Sequence, residues 1–109
     1  MRKDIFDTAK KVFDLAILNK VVIASAESCT GGMLSSTITE IPGSSVIFDC
    51  GFVTYSNAAK IKLLSVSENS LNYYGAVSEE VAGEMALGAL DNSKANLAIS
   101  ITGIAGPGG

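Results

Sequence analysis

The stretch "VVIASAESCTGG" (21–32) decides the fold, because an apolar run passes directly into small polar residues and a glycine pair. "VVIASA" (21–26) is short and rich in β-branched residues, which predicts a buried strand. "TGGMLSSTITE" (30–40) predicts a helix that ends before Pro42 and Gly43. A strand that passes into a helix in this way is the repeating unit of α/β proteins.

Helices and short apolar segments alternate on both sides of this stretch. Ser78, followed by two acidic residues, predicts the start of a helix. Gly51, inside an apolar segment, predicts a bulge or the close approach of another backbone. "ANLAISITGIAG" (95–106) is nearly all apolar, which predicts a central strand. The class is therefore α/β with a layered sheet. The other predicted elements are helices over 4–19, 57–66 and 78–91, a strand region over 46–56, and a turn-rich or helical piece over 67–75.

Length and composition narrow the possible functions. The 109 residues suit one domain, with 48% apolar and 17% charged residues. A net charge of -3 without a basic block argues against a nucleic-acid partner, although backbone N–H groups can still bind a small anion. No segment is long enough to span a membrane and charges interrupt any signal-like run, so we expect a cytoplasmic protein. Cys29 and Cys50 are expected to be buried thiols.

The chain has no histidine, which restricts the chemistry it can perform. A Ser-His-Asp or Cys-His relay cannot form within it, and neither can a zinc site that needs histidine. Any catalytic base must therefore be lysine, tyrosine, a carboxylate or water. We expect no metal and no cofactor.

Ser28 is the first candidate for chemistry, because it follows a strand where a helix is predicted to begin. Its hydroxyl is a candidate nucleophile, and the N–H groups of Thr30, Gly31 or Gly32 would hold the oxyanion. The alternative is that Ser28 or Thr30 only caps the helix. Local sequence leaves both interpretations open.

"TYSNAAK" (54–60) places Tyr55, Asn57 and Lys60 at the exit of a strand, where α/β proteins collect functional groups. A lysine withdrawn from water loses part of its preference for the charged form and can act as a base toward a serine. The alternative is a solvated helix charge, which is favoured for Lys62 and open for Lys60.

Three further features of the sequence are less specific. In "TGIAGPGG" (102–109), Thr102 ends a strand and the glycines can present N–H groups to an anion. The segment matches neither a P-loop nor a GxGxxG fingerprint followed by a helix. Glu27 is ambiguous, since it would either bind a substrate hydroxyl or pair with Lys60. Cys29 is a possible nucleophile, but it has no histidine partner, so we favour a buried thiol.

Four segments, "AESCTGG", "GFVTYSNAAK", "GAVSEEVAGEMALGAL" and "SITGIAGPGG", resemble the CinA C-terminal domain family in order and spacing. The resemblance covers the chain from about residue 4. The family includes nicotinamide-nucleotide amidases. The resemblance implies a three-layer α/β/α domain with a central, mostly parallel sheet. It also implies hydrolysis of the carboxamide of nicotinamide mononucleotide to nicotinate mononucleotide and ammonia, a reaction of the pyridine nucleotide cycle.

The resemblance also implies roles for individual residues. Ser28 matches the nucleophile of the family and Lys60 matches a lysine that is a candidate base. Tyr55 and Thr102 match residues associated with the catalytic site. The residues that we expect to bind the substrate are Glu27, Thr30, Gly31, Gly32, Asn57, Gly103 and Gly106.

Family domains continue past "GPGG" with more sheet, a helix and a basic residue. We therefore expect residues 1–109 to be a single amidase-like domain that lacks its C-terminal elements. A sheet edge exposed in this way favours a homodimer or higher homo-oligomer. The alternative to an amidase is an inactive remnant that serves as a nucleotide-binding or interaction module. A DNA-related role finds no basic surface.

Overall fold

Helices and short strands alternate along the chain, as predicted. The structure, a computed structural model, describes residues 2–104. None of the helices in this range is long and apolar enough to cross a membrane. The elements are α1 (Lys3–Asn19), β1 (Ile23–Glu27), α2 (Met33–Thr39), a 3₁₀ turn (Ser44–Val46), β2 (Phe48–Val53), α3 (Asn57–Leu64), α4 (Glu68–Tyr74), α5 (Glu79–Asp91) and β3 (Leu97–Ile101).

The three strands form one parallel sheet in the order β2-β1-β3. Every residue of β1 is buried, so β1 is the central strand. The prediction that residues 95–106 form the central strand is wrong for the described part of the chain, where β3 lies at the sheet edge. Its apolar composition reflects the packing of Ala98 and Ile99 on opposite faces rather than a strand neighbour on each side.

Helices cover both faces of the sheet, which confirms the three-layer α/β/α fold. On one face, Ala24 and Ala26 of β1 pack with side chains of α3, α4 and α5. On the other face, Ile23 packs with Ala16 of α1 and Ile38 of α2. Successive residues of β1 therefore serve different layers, as the twofold alternation of a strand requires.

The bulge predicted at Gly51 lies elsewhere. The pairing of β1 with β2 skips Asp49, because Ile23 opposes Phe48 and Ala24 opposes Cys50. Gly51 is required for a different reason, since a Cβ at this position would collide with the Ser35 hydroxyl. The neighbour that approaches Gly51 is therefore a side chain and not another backbone.

The turn between β1 and α2 is organised by the buried carboxylate of Glu27. One oxygen accepts hydrogen bonds from the Thr30 hydroxyl (2.7 Å) and the Leu34 N–H (2.8 Å). The other accepts from the N–H (3.0 Å) and hydroxyl (2.8 Å) of Ser35. Burial raises the pKa of Glu27, but these hydrogen bonds outweigh it, so the pKa lies below its ordinary value. Glu27 thus caps α2 with an ionised carboxylate.

We predict opposite effects for two Gly→Ala substitutions in α5. A Cβ at Gly88 would overlap the backbone of Leu64 in α3, whereas a Cβ at Gly83 meets no atom within 4 Å. Gly88→Ala therefore forces α3 and α5 apart and lowers the free energy of unfolding by about 2 kcal/mol or more. Gly83→Ala raises it by about 0.5–1 kcal/mol through helix propensity. Urea titration measures both, and equal effects would contradict this packing.

Replacing the Glu27 carboxylate tests its role as a cap. Glu27→Gln puts an amide NH₂ against N–H and hydroxyl donors, so we expect a loss of about 3 kcal/mol in unfolding free energy at pH 7. Because the folded-state pKa of Glu27 is lowered, its stabilisation is lost as the pH falls through that pKa. The difference between wild type and Glu27→Gln should then shrink in acid. Glu40→Gln, at an exposed position beyond α2, is the control.

Candidate active site

Ser28 and Lys60 meet on the face of the sheet covered by α3, α4 and α5. Lys60 Nζ lies 3.0 Å from Ser28 Oγ. The exposed fraction is 1% for Lys60 and 6% for Ser28, so the contact is withdrawn from water. The interpretation of Lys60 as a solvated helix charge is therefore wrong, whereas Lys62 is exposed as expected.

The capping interpretation of Ser28 is also wrong. The helix predicted from Thr30 begins only at Met33, with Gly32 at its N-cap and no side-chain cap bond from that residue. A turn over 28–32 separates Ser28 from the helix, and the Gly31 N–H donates to the Ser28 carbonyl (3.1 Å). Positive φ angles at Gly31 and Gly32 allow this turn.

Glu27 takes no part in the Ser28–Lys60 contact. It precedes Ser28 in the chain, so strand alternation directs its side chain to α2 on the opposite face. The predicted pairing of Glu27 with Lys60 is wrong, and its fully buried, hydrogen-bonded carboxylate is not available to a substrate. Thr30 likewise donates its hydroxyl to Glu27.

A main-chain carbonyl orients the amine of Lys60. Tyr55 O accepts a hydrogen bond from Lys60 Nζ at 3.1 Å and lies 3.5 Å from Ser28 Oγ. The next residue, Ser56, caps α3, since its hydroxyl accepts from the Ala59 N–H at 3.0 Å. The Tyr55 side chain is 69% exposed at the cavity mouth. The main chain of Tyr55, and not its phenol, therefore contacts the lysine.

The surroundings of Lys60 favour its neutral form. Burial lowers the pKa of Lys60, and interaction with the Cys29 thiol raises it to a smaller extent. The three ion pairs formed within residues 2–104 all lie on the exposed side of α1 or just before it, so no described carboxylate pairs with Lys60. A neutral amine can accept the proton of the Ser28 hydroxyl while its own N–H donates to Tyr55 O.

The Ser28–Lys60 contact lies in a cavity of about 270 Å³ at the carboxyl edge of the sheet. Of the predicted site residues, Glu27, Thr30, Gly31 and Gly32 do not line this cavity, and Gly106 lies outside the described residues. Four lining residues were not predicted as site residues, namely Cys29, Ala76, Val77 and Ile104. The pattern at Ser78, beside Ala76 and Val77, indicated only a helix cap. The lining consists of Ser28, Cys29, Tyr55, Asn57, Lys60, Ala76, Val77, Thr102, Gly103 and Ile104.

The N–H groups at the start of α2, where the oxyanion donors were predicted, are already engaged in hydrogen bonds. In the first turn of α2, the N–H groups of Leu34 and Ser35 donate to the Glu27 carboxylate. Gly31 donates to Ser28 O, and Ser28 donates to Ile101 O at 2.9 Å. The N–H groups of Cys29, Thr30 and Gly32 have no hydrogen-bond acceptor within residues 2–104. Of these three residues only Cys29 lines the cavity, so the Cys29 N–H is the candidate oxyanion donor.

The hydroxyl of Thr102 is engaged outside the Ser28–Lys60 contact. Thr102 Oγ1 donates to the Ala76 carbonyl at 2.8 Å, which joins the end of β3 to the segment before α5. Its proton is therefore not available to a reacting group. Thr102 borders the cavity without contacting either Ser28 or Lys60 through its hydroxyl.

Known proteins share both the sequence and the fold of this chain. The sequence model of the CinA C-terminal domain matches residues 6–109. A protein of Enterobacter agglomerans named nicotinamide-nucleotide amidohydrolase PncC is 61% identical over 87 residues, which cover 80% of this chain and 53% of that protein. A CinA-like protein of Chloroherpeton thalassium is 62% identical over 87 residues, covering 80% of this chain and 21% of that protein.

Solved structures agree with this match. The competence/damage inducible protein CihA from Agrobacterium tumefaciens superposes with a TM-score of 0.95 at 46% identity, covering 100% of this chain and 66% of that one. A CinA superfamily protein from Escherichia coli superposes with a TM-score of 0.93 at 39% identity, covering 98% of this chain and 63% of that one. The chain thus spans about half of the amidohydrolase, at 53%, and somewhat under two thirds of these structures. The chain belongs to the CinA C-terminal domain family.

Proposed function

We propose that this chain hydrolyses the carboxamide of nicotinamide mononucleotide, giving nicotinate mononucleotide and ammonia. The observation that carries the proposal is the buried 3.0 Å contact between Lys60 Nζ and Ser28 Oγ. An amine without a carboxylate partner is a suitable base for a serine nucleophile in a chain that has no histidine. The name of the Enterobacter agglomerans relative supports this substrate.

In the proposed reaction, neutral Lys60 accepts the proton of Ser28 as the oxygen attacks the carboxamide carbon. The N–H group of Cys29, the residue after Ser28, holds the developing oxyanion. When the C–N bond breaks, the Lys60 ammonium returns its proton to the leaving nitrogen, which departs as ammonia. Water then attacks the Ser28 ester, Lys60 accepts the proton of the water, and the serine hydroxyl is restored.

The remaining cavity residues are expected to bind the substrate rather than react with it. Asn57 and Gly103 border the cavity beyond the Ser28–Lys60 contact. We expect the Asn57 amide and the main chain of Gly103 to contact the polar part of the nucleotide. The Tyr55 side chain, exposed at the mouth, is expected to contact the substrate, while its carbonyl orients Lys60.

Removal of either reacting group tests the proposal. Ser28→Ala and Lys60→Met should each lower ammonia release from nicotinamide mononucleotide by at least about 10²-fold. Methionine fills the space of the lysine stem, so the fold is expected to survive Lys60→Met. Lys62→Met, at an exposed position of the same helix, is the matched control and should retain full activity. Equal release by wild type and Ser28→Ala would refute the assignment.

Titration calorimetry with substrate and product separates the amidase from the alternative of a binding module. Binding of nicotinamide mononucleotide without turnover by the wild-type chain would support the module. Turnover that depends on Ser28 excludes it as the sole function.

The activity is expected to depend on pH through Lys60. Only the neutral amine is a base, so kcat/KM should rise with pH and level off at an apparent pKa below the ordinary lysine value of 10.5. The same group affects stability. Between its lowered folded-state pKa and its unfolded-state pKa, the unfolded chain binds the extra proton, so the free energy of unfolding rises with pH.

Lys60→Met should remove this rise in stability across that pH range, whereas Lys62→Met should preserve it. Denaturant titrations at several alkaline pH values measure the slope. A rate profile that levels off only in the ordinary lysine range would contradict the role of a neutral Lys60.

A further inference from the structure

The segment 75–78, which precedes α5, is fixed by hydrogen bonds at both ends. Gly75, with φ of 81°, donates its N–H to the Leu71 carbonyl at 3.0 Å. Ser78 Oγ donates to the Gly75 carbonyl at 2.8 Å and accepts from the Val81 N–H at 3.2 Å. The two ends of this short segment are therefore held to α4 and α5.

The middle of the segment is held by β3. Thr102 Oγ1 donates to the Ala76 carbonyl at 2.8 Å, across 26 positions of sequence. The Ala76 side chain packs against the core cluster under α5. The hydrogen bond from Thr102 therefore holds Ala76, and with it the next residue, Val77, close to the end of β3.

The residue that follows is Val77, a largely exposed apolar residue. It is 54% exposed, although Ala76 and Ser78 on either side are only partly exposed. Val77 lines the same cavity as Ser28 and Lys60. A β-branched side chain on a pinned segment presents a fixed apolar surface, because Val has few rotamers.

We infer that Val77 is a specificity-determining residue, the apolar surface against which the flat ring bearing the carboxamide packs. Thr102 is then a positioning residue that acts through Ala76. This inference rests on the proposed function, because a carboxamide at Ser28 brings its ring into the cavity. Ring packing is present in both the ground state and the transition state, so it lowers KM without changing kcat.

Kinetics with nicotinamide mononucleotide test the inference. Val77→Ala removes the apolar surface and should raise KM about tenfold, with kcat within about twofold of wild type. Val77→Thr keeps the shape but replaces a methyl group with a hydroxyl, so it should also raise KM. Leu87→Ala, which also truncates an exposed apolar side chain but lies on α5 outside the cavity lining, should leave KM unchanged.

Thr102 requires its own pair of variants. Thr102→Val keeps the shape and removes the hydroxyl, so KM should rise by several-fold, whereas Thr102→Ser restores the bond and should return KM toward wild type. Ser100→Ala is the matched control, because Ser100 Oγ makes the same kind of bond from β3, to the Ala82 carbonyl at 2.6 Å, and Ser100 does not line the cavity. A KM for Thr102→Val equal to that of Ser100→Ala would overturn the positioning role.

A binding measurement distinguishes failure of this inference from failure of the proposed function. In a Ser28→Ala background, adding Val77→Ala should raise the Kd for nicotinamide mononucleotide about tenfold. If wild type turns over the substrate but Val77→Ala changes neither KM nor Kd, the specificity role is overturned and the amidase stands. If wild type binds without turnover, the proposed reaction is overturned and the Kd comparison still decides the role of Val77. Absence of both turnover and binding overturns both.

Discussion

Alternation along β1 is the constraint on which the rest of the structure depends. Glu27 and Ser28 are consecutive, and their side chains therefore lie in different layers of the fold. The carboxylate serves α2 on one face while the hydroxyl meets Lys60 on the other. If both pointed to the same layer, the carboxylate would pair with the lysine and stabilise its charged form. Within residues 2–104, the separation leaves the Lys60 amine with a hydroxyl and a carbonyl as its hydrogen-bond partners.

Glu27 and Lys60, the two buried ionisable groups on either face of the sheet, end in different charge states. Four hydrogen bonds compensate Glu27 for lost solvation, so its pKa falls and it stays charged. Lys60 lacks such compensation, so its pKa falls and the neutral form is favoured. In both cases the unfolded chain binds the proton more readily than the folded chain. Both groups therefore make the fold less stable as the pH decreases through their respective ranges.

Local patterns in the sequence predict the order of helices and strands, and they single out Ser28 and Lys60 as candidates for chemistry. They do not predict the hydrogen-bond partners of Glu27, because these depend on α2 beginning at Met33 rather than at Thr30. Residues 28–32 carry small side chains, which suit both a turn and the start of a helix. The position of β3 at the sheet edge within residues 2–104 is not predictable in this way, because apolar composition indicates buried faces and not strand neighbours. The bond from Thr102 to Ala76 joins distant segments, and no local pattern encodes it.

The choice of a carbonyl as the second partner of Lys60 has a chemical consequence. A carboxylate would hold the amine equally well, but it would raise the lysine pKa and leave no lone pair at neutral pH. A carbonyl dipole orients Nζ at a smaller electrostatic cost to the neutral form. This carbonyl belongs to Tyr55, whose side chain is largely exposed and makes no hydrogen bond to Lys60 within the described residues. Substitution of the Tyr55 side chain therefore leaves the orienting group in place, and any loss of activity from it reports on substrate contacts and not on the base.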